Sequence, residues 1–181
     1  MTTMHGQPDF TIARFDADNV RANLQELGAL LHACVHAGAS IGFILPFAVE
    51  EAEAFWRDNV LPAVRVGERL LLVACAGDRI AGSVQLDHAT PANQPHRAEV
   101  RKLMVHPDFR RRGLARRLMA EIEAHAVQLR RSLLTLDTRT GDHAEPLYTA
   151  LGYQTAGVIP GYCRDPFMDR LDSTTIMYKT L

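Results

Sequence analysis

A chain of 181 residues with 47% hydrophobic and 23% charged side chains is large enough to build one globular domain, 1–181, around a proper core. A formal net charge of −1 speaks against a nucleic-acid binder, because the only basic run, Arg110 to Arg117, is offset by acids elsewhere and has no interleaved aromatics. No stretch approaches the ~20 apolar residues of a membrane-spanning helix, and no basic segment leads into an apolar one at the start, so neither membrane insertion nor secretion is expected.

In chain order, Phe10 to Phe15 alternates as a first strand. Val20, Leu24, Leu27, Leu31 and Val35 recur at helical spacing, with Asp16 or Asp18 as the cap. Gly38-Ala39-Ser40-Ile41-Gly42 ends that pattern, and Pro46 opens a second one carrying Phe55, Trp56, Val60 and Val64 and closing near Gly67. The apolar runs Leu70 to Ala76 and Ile80 to Leu86 flank the turn pair Gly77-Asp78 and predict a hairpin. Arg97 to Val105 is the next strand. After a helix from Leu114 to Leu129, Leu133 to Asp137 gives a strand parallel to it, because a helix intervenes. A short helix over Ala144 to Leu151 ends at Gly152, with Pro146 tolerated only in its first turn, and Tyr153 to Ile159 and Thr174 to Tyr178 complete the sheet. The fold class is α/β (α+β), a mixed sheet with helices on both faces.

Cys34, Cys75 and Cys163 are odd in number and widely spaced, and Cys75 sits in an apolar run; they are expected to be reduced thiols, which points to the cytoplasm. His32 and His36 stand one helical turn apart, a spacing open to metal ligation. No third ligand clusters with them, so no metal is expected.

Within Arg97 to Val105 the apolar parity slips. Ala98 and Val100 share one face by two-residue alternation, while Leu103 and Val105 have the opposite parity. Either a β-bulge near Arg101-Lys102 restores the face, or the strand is buried on both sides, as the apolar Met104 allows.

The junction that follows is the most informative segment. Leu103-Met104-Val105 ends a strand, Pro107 turns the chain out of the sheet, and Arg110-Arg111-Arg112-Gly113 leads into the helix that begins at Leu114. A first helical turn offers backbone amides without intrahelical partners and a dipole that favours an anion, glycine permits close approach, and arginines grip phosphate oxygens bidentately. Neither a P-loop ending in Gly-Lys-Ser/Thr nor a Gly-x-Gly-x-x-Gly turn is present. The pattern Arg110-x-x-Gly113-x-Ala115 resembles the acetyl-CoA pyrophosphate loop of the GNAT superfamily of N-acetyltransferases, and the order of elements extends that resemblance over nearly the whole chain.

The resemblance implies acetyl-CoA as co-substrate, a sheet splayed between its two parallel strands, and a cofactor site made of Leu103, Met104, Val105, Arg110, Arg111, Arg112, Gly113, Leu114, Ala115 and Arg116. It also assigns Tyr148, in Ala144-Glu145-Pro146-Leu147-Tyr148, to the coenzyme sulfur. A phenol with a pKa of about 10 stays protonated at neutral pH and can donate to a developing thiolate. Many members carry Asn where Gly141 stands here, so that side-chain contact to pantetheine is missing. An acceptor amine of pKa about 10.4 needs roughly 4.6 kcal/mol to shed its proton at pH 7, so a carboxylate is required. Glu99 and Asp137, on neighbouring parallel strands, are both candidates, the alternatives being a surface pair with Arg97 or Arg101 for Glu99 and a turn cap for Asp137.

A narrower resemblance, carried by His36 to Phe43, Arg97 to Val105, Leu136-Asp137-Thr138 and Pro160-Gly161-Tyr162-Cys163, is to the tabtoxin-resistance acetyltransferases, which acetylate the amine of a β-lactam amino-acid toxin. It implies an acceptor site of Ser40, Phe43, Glu99, Asp137 and Tyr162, a small-molecule amine as partner, and a monomer or homodimer. A protein lysine or N-terminal acetyltransferase, which needs an open peptide groove, and a non-catalytic acetyl-CoA sensor are the other readings.

Overall fold

Residues 9–181 are described by the computed structural model. The elements run β1 (Phe10–Phe15), α1 (Ala17–Ala22), α2 (Leu24–His36), α3 (Val49–Phe55), α4 (Leu61–Arg65), β2 (Arg69–Ala76), β3 (Arg79–Asp87), β4 (Arg97–Val105), α5 (Leu114–Gln128), β5 (Leu133–Arg139), α6 (Ala144–Ala150), β6 (Gln154–Arg164) and β7 (Leu171–Thr180). The strands form one seven-stranded sheet in the order β1-β2-β3-β4-β5-β7-β6. Alternation along β2 serves two cores. Leu70 and Leu72 face α5, whose Leu118, Ile122 and Ala126 are fully buried, while Leu71 and Val73 face Leu27, Leu31 and Trp56 of the other layer.

Local chemistry explains where the helices depart from the sequence pattern. Asp16 is the cap: its Oδ1 accepts from the Asn19 amide at 2.8 Å while Asn19 Oδ1 accepts from the Asp16 amide at 3.2 Å, and Asp18 pairs instead with Arg21. The apolar periodicity from Val20 to Val35 reads as one helix, yet the chain breaks at Asn23, whose side-chain Nδ2 donates to the Asn19 carbonyl at 2.8 Å. The second pattern begins at Val49, later than Pro46, because Glu51 Oε2 accepts from the Ala48 amide at 2.8 Å. Between α3 and α4 the chain widens into a π turn, Trp56–Val60, that buries Trp56.

The parity slip in β4 is a bulge. Gln85 pairs with Arg101 and Ser83 with Met104, so one residue of β3 between them opposes two of β4, and Lys102 takes a left-handed φ of 50°. Before the bulge Ala98 and Val100 face the α5 core. After it Leu103 and Val105 take that face and Met104 enters the other core.

On its other side β4 pairs in parallel with β5 only from Arg97 to Glu99, against Leu133 to Thr135. β5 stays paired with β7 as far as Arg139, opposite Thr174, and therefore carries β6 and β7 away from β4. A wedge opens between the two parallel strands, with α6 along one side.

The final strands are longer than their apolar runs. β6 continues through Arg164, and its register jumps between Ile159, opposite Thr174, and Cys163, opposite Asp172. Pro160-Gly161-Tyr162 is thus a bulged stretch inside a strand and not the separate loop that its turn residues suggest, because Gly161 takes a φ of 60° while β7 continues alongside.

Gly82 of β3 pairs with Val105, and a Cβ there would stand 2.7 Å from the Met104 carbonyl oxygen. Gly82→Ala is expected to lose about 1–3 kcal/mol of stability in urea unfolding, since a backbone atom must shift. A loss below about 0.5 kcal/mol, the size of an ordinary surface change, would show that β3 and β4 separate freely here.

Candidate active site

The β4–α5 junction places an uncapped helix start at the mouth of the wedge. After a short turn over Pro107–Phe109, Gly113 occupies the N-cap position of α5 with φ 75°, and no side chain caps the helix. Only from Arg117, whose amide bonds the Gly113 carbonyl at 3.2 Å, does the helical ladder begin, so the amides of Leu114, Ala115 and Arg116 have no intrahelical partner. A Cβ at Gly113 would meet nothing within 4 Å, so the left-handed φ, and not crowding by protein atoms, is what requires glycine there. Beside this end lies a cavity of about 670 Å³ lined by Val105, Arg110, Arg111, Gly113, Ala115 and Arg116, with Leu114 also on its wall and His143, Pro146 and Leu147 opposite. Arg112 is turned away, donating to the Asp108 carbonyl at 3.1 Å and lying over the Phe109 ring.

This cavity is the first of three that overlap along the wedge. It shares Val105, Arg110, Ala115, His143 and Leu147 with a second of about 590 Å³, which runs along Leu103 and Met104 of β4. The second shares Leu103, Arg139, Asp142 and Ala144 with a third of about 280 Å³. A row of neighbouring cavities with shared walls therefore runs from the helix start to an inner chamber. The Val105 carbonyl on its wall accepts from Arg110 Nε at 3.2 Å and lies 3.5 Å from Cys34 Sγ.

Asp137, Tyr148, Ser40 and Tyr162 all line the chamber. The Thr174 hydroxyl donates to Asp137 Oδ2 at 3.1 Å, and Ser40 Oγ lies 3.6 Å from Cys163 Sγ, tying the loop after α2 to β6. Glu99 and Phe43 are not part of its lining. Glu99 is on the stretch of β4 that is still paired with β5, and its carboxylate lies 3.7 Å from Arg101, which also reaches Asp87 at 3.3 Å. Phe43 packs on Phe47 and Phe55, with ring centroids 4.7 and 5.2 Å away.

Chamber residues that the sequence reading did not assign to the site include Lys102, Arg139, Asp142, Cys163 and Thr174. The parity slip marked Lys102, but only as a backbone feature. Arg139 and Asp142 pair with each other at 3.2 Å, and Arg139 also faces Asp165 and Asp172 at 3.5 and 3.7 Å. Burial pushes the Lys102 ammonium below the usual lysine range. Tyr148 is only 7% exposed, and burial, reinforced by the negative charges of Asp137 and Asp142, pushes its phenol well above 10. His32 and His36 stack at 3.9 Å away from this groove, and among the described residues no group of three His, Cys, Asp or Glu side chains is gathered to hold a metal.

The uncapped start of α5, opening into a wedge between parallel strands, is the arrangement that the resemblance to the GNAT acetyltransferases implies. The model of the Acetyltransferase (GNAT) family matches residues 30–153. An N-acetyltransferase of Azospirillum brasilense, from the hisH-hisA intergenic region, is 33% identical over 140 residues, 76% of this chain and 80% of that protein. The fold is shared with an N-acetyltransferase from Staphylococcus aureus, at a TM-score of 0.76, 13% identity and coverage of 95% and 98% of the two chains. It is shared too with yncA of Salmonella typhimurium, solved with its cofactor acetyl-CoA, at a TM-score of 0.73, 18% identity and coverage of 95% and 94%. The chain belongs to the GNAT family and is an acetyltransferase.

The raised Tyr148 pKa fixes the sign of a pH effect. The folded chain holds the proton that the unfolded chain releases near 10, so the stability it contributes is full below pH 10 and is lost as pH rises from there. Tyr148→Phe should reduce the fall in stability between pH 10 and 11, followed by urea unfolding, by about 1 kcal/mol. Identical slopes would mean that the phenol reaches water.

Proposed function

We propose that this enzyme transfers the acetyl group of acetyl-CoA to the amine of a small molecule by direct attack, without a covalent enzyme intermediate. The observation that carries the reading is the row of cavities with shared walls between the α5 amides and a chamber walled by Asp137 and Tyr148. Acetyl-CoA supplies a thioester whose carbonyl carbon the acceptor nitrogen attacks as the C–S bond breaks. The amides of Leu114, Ala115 and Arg116, with Arg110, Arg111 and Arg116, suit a diphosphate. Leu103, Met104 and Val105, on the part of β4 that lacks a β5 partner, offer backbone groups to an extended arm, as an added strand would use them.

In the chamber Asp137 accepts the amine proton, directly or through water, and Tyr148 donates its hydroxyl to the sulfur. Glu99, held at Arg101, stands outside this exchange. The chamber of about 280 Å³ is small, which favours a small acceptor over a peptide. Within that class the acceptor we put to trial is an amino-acid-like β-lactam toxin, so the role assigned is detoxification. Three free cysteines accord with a reducing compartment such as the cytoplasm.

Tyr148→Phe should lower kcat by about 10²-fold or more, the usual scale for losing one hydrogen-bond donor to developing charge, with acetyl-CoA affinity nearly intact in calorimetry. Equal loss of both would make the tyrosine structural. Gly113→Ala meets no protein atom but strains the backbone by roughly 1–2 kcal/mol, and should weaken acetyl-CoA about five- to thirtyfold. Unchanged affinity would remove the diphosphate assignment.

A further inference from the structure

The inner chamber holds two opposite charges, Lys102 and Asp137, that attract each other at longer range but close into no ion pair among the described residues. Among its carboxylates, Asp142 is paired with Arg139, while Asp137 has only the Thr174 hydroxyl. Among its cations, Arg101 is engaged by Asp87 and Glu99, and Arg139 by Asp142, Asp165 and Asp172. Lys102 has no carboxylate within 4.0 Å among the described residues and makes no hydrogen bond through its Nζ. Its Nζ rests 5.8 Å from the centroids of Phe43 and Phe55, and about 3.5 Å from where a Cβ on Gly42 would stand.

The sequence makes that ammonium conspicuous. Of 20 basic side chains only two, Lys102 and Lys179, are lysines, and Lys179 is matched to Glu123 at 2.6 Å. A largely buried ammonium beside aromatic rings is retained at a cost unless an anion meets it. The strained φ of 50° at the bulge is what sends this side chain to the chamber. Asp137 and Lys102 stand on the two strands that part, on either side of the same small space.

We infer that Lys102 selects acceptors that carry a carboxylate as well as an amine, binding the carboxylate while Asp137 takes the ammonium end. This rests on the acetyl-transfer reading above and gives its acceptor site a residue for specificity. The acceptor is then zwitterionic, and each end meets the opposite charge across the wedge.

The test compares α-, β- and γ-amino acids with their primary amides as acceptors, following release of CoA thiol in the wild type and in Lys102→Met, which keeps the aliphatic stem. A charge-assisted contact predicts that the wild type prefers acid over amide in kcat/KM by about tenfold or more, and that the ratio in Lys102→Met falls to near one. A wild-type ratio near one, or a ratio unchanged in Lys102→Met while both rates drop, overturns the inference; the latter would make Lys102 a base. A second measurement needs no turnover. With only two lysines, isotope-labelled lysine gives two ε-methylene signals in NMR, assigned through Lys102→Met. In the CoA-saturated protein the Lys102 signal should move with an amino acid and not with its amide; movement with both or with neither overturns the inference. If Lys102 responds to the acid while no thiol is released, the carboxylate site stands and the acetyl-transfer assignment to Asp137 and Tyr148 falls.

Discussion

The separation of β4 from β5 after three parallel pairs is the constraint on which the rest of the molecule depends. Two neighbouring strands in one sheet ordinarily keep pairing, because each buried amide or carbonyl left without a partner costs about 1–3 kcal/mol. Here the loss is offset from both sides. β5 is held by seven residue pairs to β7 and cannot follow β4. β4 is bent by the bulge at Lys102, which sends Met104 into one core and Leu103 and Val105 into the other, and Arg110 satisfies the Val105 carbonyl. The wedge is therefore a consequence of packing and register.

That geometry also sorts the electrostatics. At one end an uncapped helix start stands beside Arg110, Arg111 and Arg116, an arrangement that on the acetyl-transfer reading suits multiple negative charges. At the other, single charges stand on separate walls and burial acts on both: it lowers the proton affinity of Lys102 and raises that of Tyr148. For the tyrosine this has a chemical consequence. A phenol held well above its usual pKa carries its proton at neutral pH, yet is a poor source of it for a thiolate, since an ordinary thiol, at about 8.5 for cysteine, is the stronger acid. Complete transfer to sulfur would run uphill. On the acetyl-transfer reading Tyr148 therefore serves chiefly as a hydrogen-bond donor that holds charge on the departing sulfur, and the proton balancing the reaction is the one the acceptor nitrogen sheds.

How far the sequence discloses this depends on how local each feature is. The β4–α5 junction was legible because its parts are contiguous: an apolar triplet, a proline, arginines, a glycine and a helical repeat. The bulge was legible too, since a change of apolar parity between Val100 and Leu103 has few other causes. Features set by partners distant in sequence are not legible in this way. Glu99 and Asp137 look equivalent as carboxylates on adjacent strands, but the parallel pairing ends between their levels, so one stays with Arg101 and the other opens onto the chamber. Phe43 is close in sequence to Ser40 yet faces another aromatic cluster. Pro160-Gly161-Tyr162 has the composition of a turn, and only the continued pairing of β7 keeps it inside a strand.

The same reasoning bears on why a chain so rich in arginine carries lysine at the bulge. A guanidinium brings five donors in a fixed plane, and in the space beside Phe43, Phe55 and Gly42 most of them would be buried without acceptors. An ammonium concentrates its charge at one atom and can rest against ring faces while still directing donors outward. It can also lose its proton when desolvated, which a guanidinium does not. Occupation of the chamber by a carboxylate would oppose that loss, raising the proton affinity of Lys102, whereas a bare amine would lower it further. The acceptor's own anion therefore keeps Lys102 charged and in its binding form, and a molecule lacking that anion meets a site that is both desolvated and unbalanced. Discrimination of this kind needs no moving part, only one cation without a close ion-pair partner, fixed by backbone geometry.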